Sequence, residues 1–588
     1  MKASNKVTHS LFKKHIARFI IIIAIVVVSV GFMSGVGEVK NKVYACVEDY
    51  YQNSNVSDLY LKSSNPMGFN QTEIDWILQK FGEENVLKSF SYEDKINDEI
   101  IRIYNYDINS SINKLELIEG TFPQDEGFAV VERNSAGLDS YEIGEVITIN
   151  NKTFTISGIV LNPYIINQVE EPSFRYENED LNKIFYINSL PFIVNDVYVT
   201  IEDRELFSTF SNEYKERINL LKKEVTDSFP TTFVRVLSLY ENTGLYPLSV
   251  YADKVGQIAN IFVVFFVLVT LLVVFSTLTR LLDEERAQIA CQKTLGYSDF
   301  TIVRRYLWFV LLATIIGTLI SYGVGLGLTK IIYSAFNLQY KMAAFPIKNN
   351  VTYFIISFVI LFVVNAVLTI ITGLKMAKKK PVTLLSPKTA KPGKKLFLEK
   401  IPSIWNKCSF KFKSTLRNVF LFKSRFFMTV ISLIGSAVLV FAGMGIMDCS
   451  KNISGGESLI TISLALLVFS AILCALVIYN ISNINICERT REISTLMVLG
   501  YNDNEVCGYI FREIYIMSII GAILGIPVSL VFIKFVFKII DFGTVADINW
   551  WTWILTPLIT MLFTFFSTLI LRRKIIKTDM NASLKSNE

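Results

Sequence analysis

No phosphate-binding loop of the form GxxxxGK[ST] occurs anywhere in the 588 residues, so the chain does not hydrolyse ATP by that route. Histidine is nearly absent, with two residues, and the seven cysteines (Cys46, Cys291, Cys408, Cys449, Cys474, Cys487 and Cys507) follow no CxxC spacing. That argues against a zinc site and against a disulfide framework. No Ser-His-Asp or Cys-His arrangement is visible either, so there is no candidate catalytic or metal-binding residue. Most telling is the lack of charge in eight apolar runs, at about 19–37, 258–279, 306–329, 351–374, 426–447, 459–482, 514–533 and 552–571. Ion- and proton-coupled carriers bury ionisable groups at membrane depth, and these runs have none.

What the chain does contain is apolar residues, 51% of the total at a mean hydropathy of +0.41. Runs of this length span a bilayer, so an integral membrane protein with eight spans is expected. A cleaved signal peptide is the other reading of the first run, but its apolar core is longer than the usual roughly 7–15 residues. Val43-Tyr44-Ala45-Cys46 has the look of a lipoprotein cleavage box, yet Glu38, Lys40 and Lys42 separate it from the apolar run, and lipidation there is rejected.

The net charge of +6 hides an asymmetry: residues 38–257 hold 19 Lys+Arg against 36 Asp+Glu, and the remainder 39 against 16. The loop from Lys375 to Arg425 has 15 basic residues and one acidic residue, Glu399. By the positive-inside rule both termini and this loop are cytoplasmic and residues 38–257 lie outside. The acidic segment reads as an α+β domain. Glu145 to Val160, EVITINNKTFTISGIV, is a hairpin about an Asn-Asn turn, and Thr72–Phe81 and Asn212–Val225 have helical periodicity.

One stretch occurs twice. Residues 284–299 read EERAQIACQKTLGYSD and residues 488–503 read ERTREISTLMVLGYND, each between two apolar runs. At a shift of 204 residues Glu284 matches Glu488, Ile289 matches Ile493, Leu295-Gly296-Tyr297 matches Leu499-Gly500-Tyr501, and Asp299 matches Asp503. Each copy predicts a short helix stopped by a left-handed glycine, with Ser298 or Asn502 capping the next helix and Asn502 with Glu505 spaced as a capping box. Small-residue packing recurs at the same shift, as Gly317-xxx-Ser321 and Gly521-xxx-Gly525.

Two four-span blocks with this elbow after the second span resemble the FtsX-like (MacB-type) permeases, membrane subunits of type VII ABC transporters. Leu117 to Pro123, Tyr141 to Glu145 and Gly158-Ile159-Val160 are similar to the extracellular MacB-type run, with Thr121 and Glu145 departing from its usual Arg and Asp. Arg417-Asn418 with Lys423 and Arg425 resembles the entry to a second block. The resemblance implies a polytopic α-helical fold: cytoplasmic N-terminus and first helix (1–37), extracellular α+β domain (38–257), first permease block (258–376), basic linker (377–425), second block (426–574) and cytoplasmic tail (575–588). It further implies that a separate ATPase, holding the ATP, docks on coupling helices 284–297 and 488–501, two ATPase subunits to one chain. Carried over, the coupling residues are Glu284, Glu285, Arg286, Ile289, Leu295, Gly296 and Tyr297, then Glu488, Arg489, Arg491, Glu492, Ile493, Leu499, Gly500 and Tyr501. No cofactor is expected in the chain itself. Expected partners are the ATPase, membrane lipid and, in an FtsX-type signalling alternative, a sensor kinase or cell-wall hydrolase, with no nucleic acid. The leading expectation is mechanotransmission that handles peptides, antimicrobials or lipids at the outer face.

Overall fold

The computed structural model describes residues 9–576 except 97–98, 108, 124, 134–141, 150–151, 168–174, 176–178, 180, 189–192, 230–232, 341–350, 387–409, 422 and 453–456. Among the described residues, eight helices are long and apolar enough to cross a membrane: α1 (Ile16–Asn53), α4 (Leu245–Glu284), α6 (Asp299–Gln339), α7 (Thr352–Ala377), α10 (Lys423–Ser450), α11 (Glu457–Glu488), α13 (Asp503–Ile540) and α14 (Trp550–Ile576). Between them lie α5 (Arg286–Thr294), α8 (Pro381–Leu385), α9 (Phe410–Leu421) and α12 (Thr490–Val498). The chain is a multi-pass α-helical membrane protein with an added α+β domain.

Two compact units are distinguished. One comprises Met1–Glu38, Val255–Thr329 and Val351–Glu588, the other Val39–Lys254 and Lys330–Asn350. The first holds five of these eight helices entirely and most of α1, α4 and α6. Its core in the first block is built from Ile22, Val26, Val274, Leu278, Phe309 and Val310, and in the second from Leu433, Val440, Cys474 and Ile478. The blocks meet through rings: Phe262 and Phe265 of α4 both pack on Phe532 of α13. Asn480 Nδ2 of α11 also donates to Thr277 Oγ1 of α4 at 2.9 Å. A buried amide bonded across helices satisfies a donor that lipid would leave empty.

Four of the described helices run to 38 residues or more, well past the expected spans. With 38, 40, 41 and 38 residues, α1, α4, α6 and α13 are about 57–62 Å long at 1.5 Å per residue, against a hydrocarbon core of about 30 Å. The extra turns carry their own apolar stripes. Val39, Val43, Val47 and Tyr51 of α1 are buried, as are Leu245, Leu248, Ala252 and Val255 of α4. No Gly or Pro interrupts Lys330 to Gln339, so α6 continues where a connection was expected.

The second unit is built on a ten-stranded sheet in the order β10-β1-β9-β2-β3-β8-β5-β7-β4, with β6 paired to β7. The strands are β1 (Leu59–Ser63), β2 (Val86–Ile96), β3 (Glu99–Tyr106), β4 (Glu116–Gly120), β5 (Phe128–Glu132), β6 (Val146–Ile149), β7 (Lys152–Leu161), β8 (Lys183–Asn188), β9 (Asp196–Val199) and β10 (Val234–Ser238). The expected hairpin is β6–β7, antiparallel with Ile149 opposite Lys152; its Asn150-Asn151 turn lies outside the described residues. Helices α2 (Gln71–Phe81) and α3 (Asn212–Ser228) cover one face. There Ile74, Ile77, Ile218 and Val225 meet Leu59, Leu61, Val197 and Val236. The period of two in β1 sends Tyr60 to the opposite face, into a core with Tyr104, Tyr186 and Tyr198.

Candidate functional site

The two elbows are built alike, residue for residue. In the first, α4 ends at Glu284, α5 runs nine residues to Thr294, and α6 begins at Asp299. In the second, α11 ends at Glu488, α12 runs nine residues to Val498, and α13 begins at Asp503. Every boundary differs by the same shift as the repeat.

Each short helix ends because a glycine takes the left-handed conformation, φ +87° at both Gly296 and Gly500. Tyr297 N–H then donates to Gln292 C=O at 3.1 Å and Gly296 N–H to Lys293 C=O at 3.1 Å. Tyr501 N–H donates to Leu496 C=O at 3.1 Å and Gly500 N–H to Met497 C=O at 3.0 Å. These are Schellman closures, which satisfy carbonyls that the helix end leaves open. The next helix is capped at once: Thr301 N–H donates to Ser298 Oγ, and Asn502 forms a reciprocal box with Glu505.

The faces of the elbows divide sharply. Ile289 and Ile493 are fully buried, anchoring α5 and α12 to the bundle, whereas Leu295 is 76% and Leu499 69% exposed, next to exposed Tyr297 and Tyr501. Exposed apolar side chains thus stand at matched positions on the two loops.

Most of the charged residues turn inward. Glu284 receives Arg18 Nη1 at 2.9 Å and Nη2 at 2.5 Å. Glu285, 2% exposed, accepts from Lys14 Nζ at 2.8 Å and lies 3.0 Å from His15 Nε2. At the matching position in the second elbow stands a base, Arg489, 4% exposed, whose Nη1 donates to Glu513 of α13 at 2.5 Å. Arg286 is half-buried and Glu492 exposed. The side chains of Glu488 and Arg491 lie outside the described residues. Sequence reasoning saw Lys14 and Arg18 only as orientation signals and missed Glu513, because contacts about 270 and 24 residues apart leave no local pattern.

Burial alone would push the Glu285 carboxyl up; the hydrogen bonds from His15 and Lys14 and the Lys14 charge outweigh it, so the group sits at about 2 instead of 4.5. A depressed carboxylate stabilises the fold above its unfolded value and loses that contribution as pH falls through the folded one. Glu285→Gln is expected to cost about 1–3 kcal/mol. The gap to the parent protein should close as pH falls below about 4.5. Thermal unfolding above and below that pH checks it, and a gap that widens in acid would exclude the ion cluster as the cause.

The repeated glycines sit at helix crossings. A Cβ on Gly317 would lie 2.9 Å from Val26 Cβ of α1, and on Gly521 2.7 Å from Leu433 Cβ of α10. Gly525 faces Ala437 of α10, and Ser321 is buried with its hydroxyl on Thr318 C=O. The third helix of each block therefore packs closely on the first.

Two stretches, residues 260–381 and 464–580, match the model of the family described as FtsX-like permease C-terminal. Each match contains one elbow together with helices on either side of it. No curated protein matches the chain.

Proposed function

We propose that this chain, an FtsX-like permease and so the membrane subunit of an ABC-type assembly, passes the motion of a separate ATPase through its two elbows to its α+β domain. The single observation that carries the reading is the matched pair of elbows, each with a buried isoleucine anchor and an exposed Leu-Gly-Tyr tip. One chain with two such tips is the pseudo-twofold equivalent of a symmetric dimer and engages two ATPase subunits. ATP is held by those subunits. The elbows and both termini face the cytoplasm and residues 38–257 face outward, where the permease handles peptides, antimicrobials or lipids by mechanical work. The absence of charge from the eight apolar runs supports this mechanism over a carrier pathway.

Cys291, exposed on α5, is a native probe of this reading. A membrane-impermeant maleimide should leave it unlabelled in intact cells and label it in inverted vesicles stripped of the ATPase. Adding the ATPase back should protect it, and native mass of that complex should give two ATPase subunits per chain. Labelling in intact cells would overturn the orientation, and unprotected Cys291 would overturn the docking site.

A further inference from the structure

The second unit carries a cavity of about 1200 Å³ where its sheet ends at β10. The walls come from β10, α3 and the first turns of α4, over a floor of buried tyrosines. Tyr60 and Tyr198 stack at 4.8 Å, and half-buried Tyr164 meets them edge-on at 5.9 and 5.3 Å, so the floor is preformed. The volume exceeds the roughly 300–1,000 Å³ of an ordinary small-ligand pocket and leaves room for a short oligomer.

Polarity narrows the choice of occupant. Among the described lining residues only Leu237, Pro247 and Val250 lack a polar side-chain atom. An acyl chain seated here would take hydroxyl and amide groups out of water and return no hydrogen bond to them. A ligand rich in hydroxyls returns those bonds. Two lining side chains stand open to receive it: Tyr246, 61% exposed and without a ring partner among the described residues, and exposed Asn219, whose amide bonds no described residue. A tyrosine ring is a flat apolar body with a polar tip, which matches a pyranose, apolar on its C–H face and polar around its rim.

Charge narrows it further. Both acidic residues of the lining are already matched: Glu241 by Lys222 at 2.5 Å, and Asp253 by Lys40 at 2.7 Å. The two bases of the lining, Lys215 and Arg235, have no carboxylate partner among the described residues. Lys215 rests over the ring of Tyr240 at 4.9 Å. Exposed Arg235 stands directly opposite Lys62 in the register of β1 with β10, and like charges facing each other across a strand pair are destabilising. Lys62 is relieved by Asp196 at 2.7 Å; Arg235 is left to an anion from outside. Although the domain as a whole is acidic, charges farther away than about 8–10 Å are screened at physiological salt, so these two bases set the local field.

We propose that this cavity binds a short acidic oligosaccharide, with Tyr246 against a sugar ring, Asn219 bonding its hydroxyls, and Lys215 and Arg235 receiving the carboxylates of the sugar acid. This goes beyond the coupling reading and does not depend on it. The probe is trigalacturonate, titrated calorimetrically into the full chain in nanodiscs without the ATPase. Saturable binding is expected. Maltotriose, which has the rings without the charge, and triglutamate, which has the charge without the rings, should each bind at least about tenfold more weakly. Arg235→Gln and Tyr246→Ala, both at exposed positions, should each weaken trigalacturonate about tenfold while thermal unfolding stays at the parent value. They should differ in one respect: Arg235→Gln narrows the preference for trigalacturonate over maltotriose, and Tyr246→Ala leaves that preference in place. No saturable binding of trigalacturonate, or parent affinity in both variants, would overturn the site. Equal binding of maltotriose would overturn the charge assignment, and equal binding of triglutamate the assignment to a sugar. Because no ATPase is present, these failures leave the coupling reading untouched.

Discussion

Arg489→Ala is expected to destabilise the second block by about 3–5 kcal/mol, the range found when one member of a buried ion pair is removed. The reason is Glu513, 3% exposed, whose carboxylate receives Arg489 Nη1 at 2.5 Å. Without the guanidinium the carboxylate stays buried and loses the Arg489 charge beside it. Glu513→Gln in the same chain should restore part of the loss, since a neutral amide costs less to bury than an ion. Thermal unfolding of the purified single and double variants forms a double-mutant cycle. A single variant within about 1 kcal/mol of the parent protein would show that the pair contributes no more than a surface contact.

Gly500→Val is expected to leave membrane abundance normal and to abolish stimulation of the ATPase. No atom lies within 4 Å of a Cβ at this position, so the added side chain meets open space. What it meets badly is its own backbone: at φ +87° an L-residue costs about 1–2 kcal/mol, and a β-branched one is a genuine outlier. The strain falls on the Schellman closure and would shift α12 and the exposed Leu499 relative to the bundle. Gly500→Asn is the control, because asparagine visits the left-handed region readily. Stimulation should fall at least about tenfold in the valine variant, about 1.4 kcal/mol in the docking step, and stay near the parent level in the asparagine variant. Unchanged stimulation by Gly500→Val would remove the elbow from the coupling path.

The elbows were legible in the sequence because their signals are local. A glycine after an apolar helical turn, a capping residue two positions on, and a second copy with the same order required no tertiary information. The β6–β7 hairpin was legible for the same reason, since alternation and a two-residue turn define it. Helix length was not. The bilayer limits how many residues must be apolar, not where a helix stops, so α1, α4 and α6 continued on stripes such as Val39, Val43 and Val47 that composition alone reads as part of a folded domain. The ion pairs were the least accessible. Lys14, His15 and Arg18 find Glu284 and Glu285 only through the folding of the bundle. The sheet order was equally hidden: β3 runs parallel to β8, across a connection that no spacing rule anticipates.

The opposite signs at Glu285 and Arg489 make the two halves non-interchangeable. Each residue occupies the same kink, yet one is received by the bases of the N-terminal segment and the other by a carboxylate on its own following helix. Grafting the second elbow into the first half would set a guanidinium against Lys14 and His15; the reciprocal graft would set a carboxylate against Glu513. A base would then face Lys14 in one chimera, and two carboxylates would be buried together in the other. The internal duplication therefore carries a polarity marker: two exposed tips of one shape stand on foundations of opposite electrical sense, and under the proposed coupling a nucleotide-hydrolysing dimer of identical subunits bound to them would have a fixed left and right.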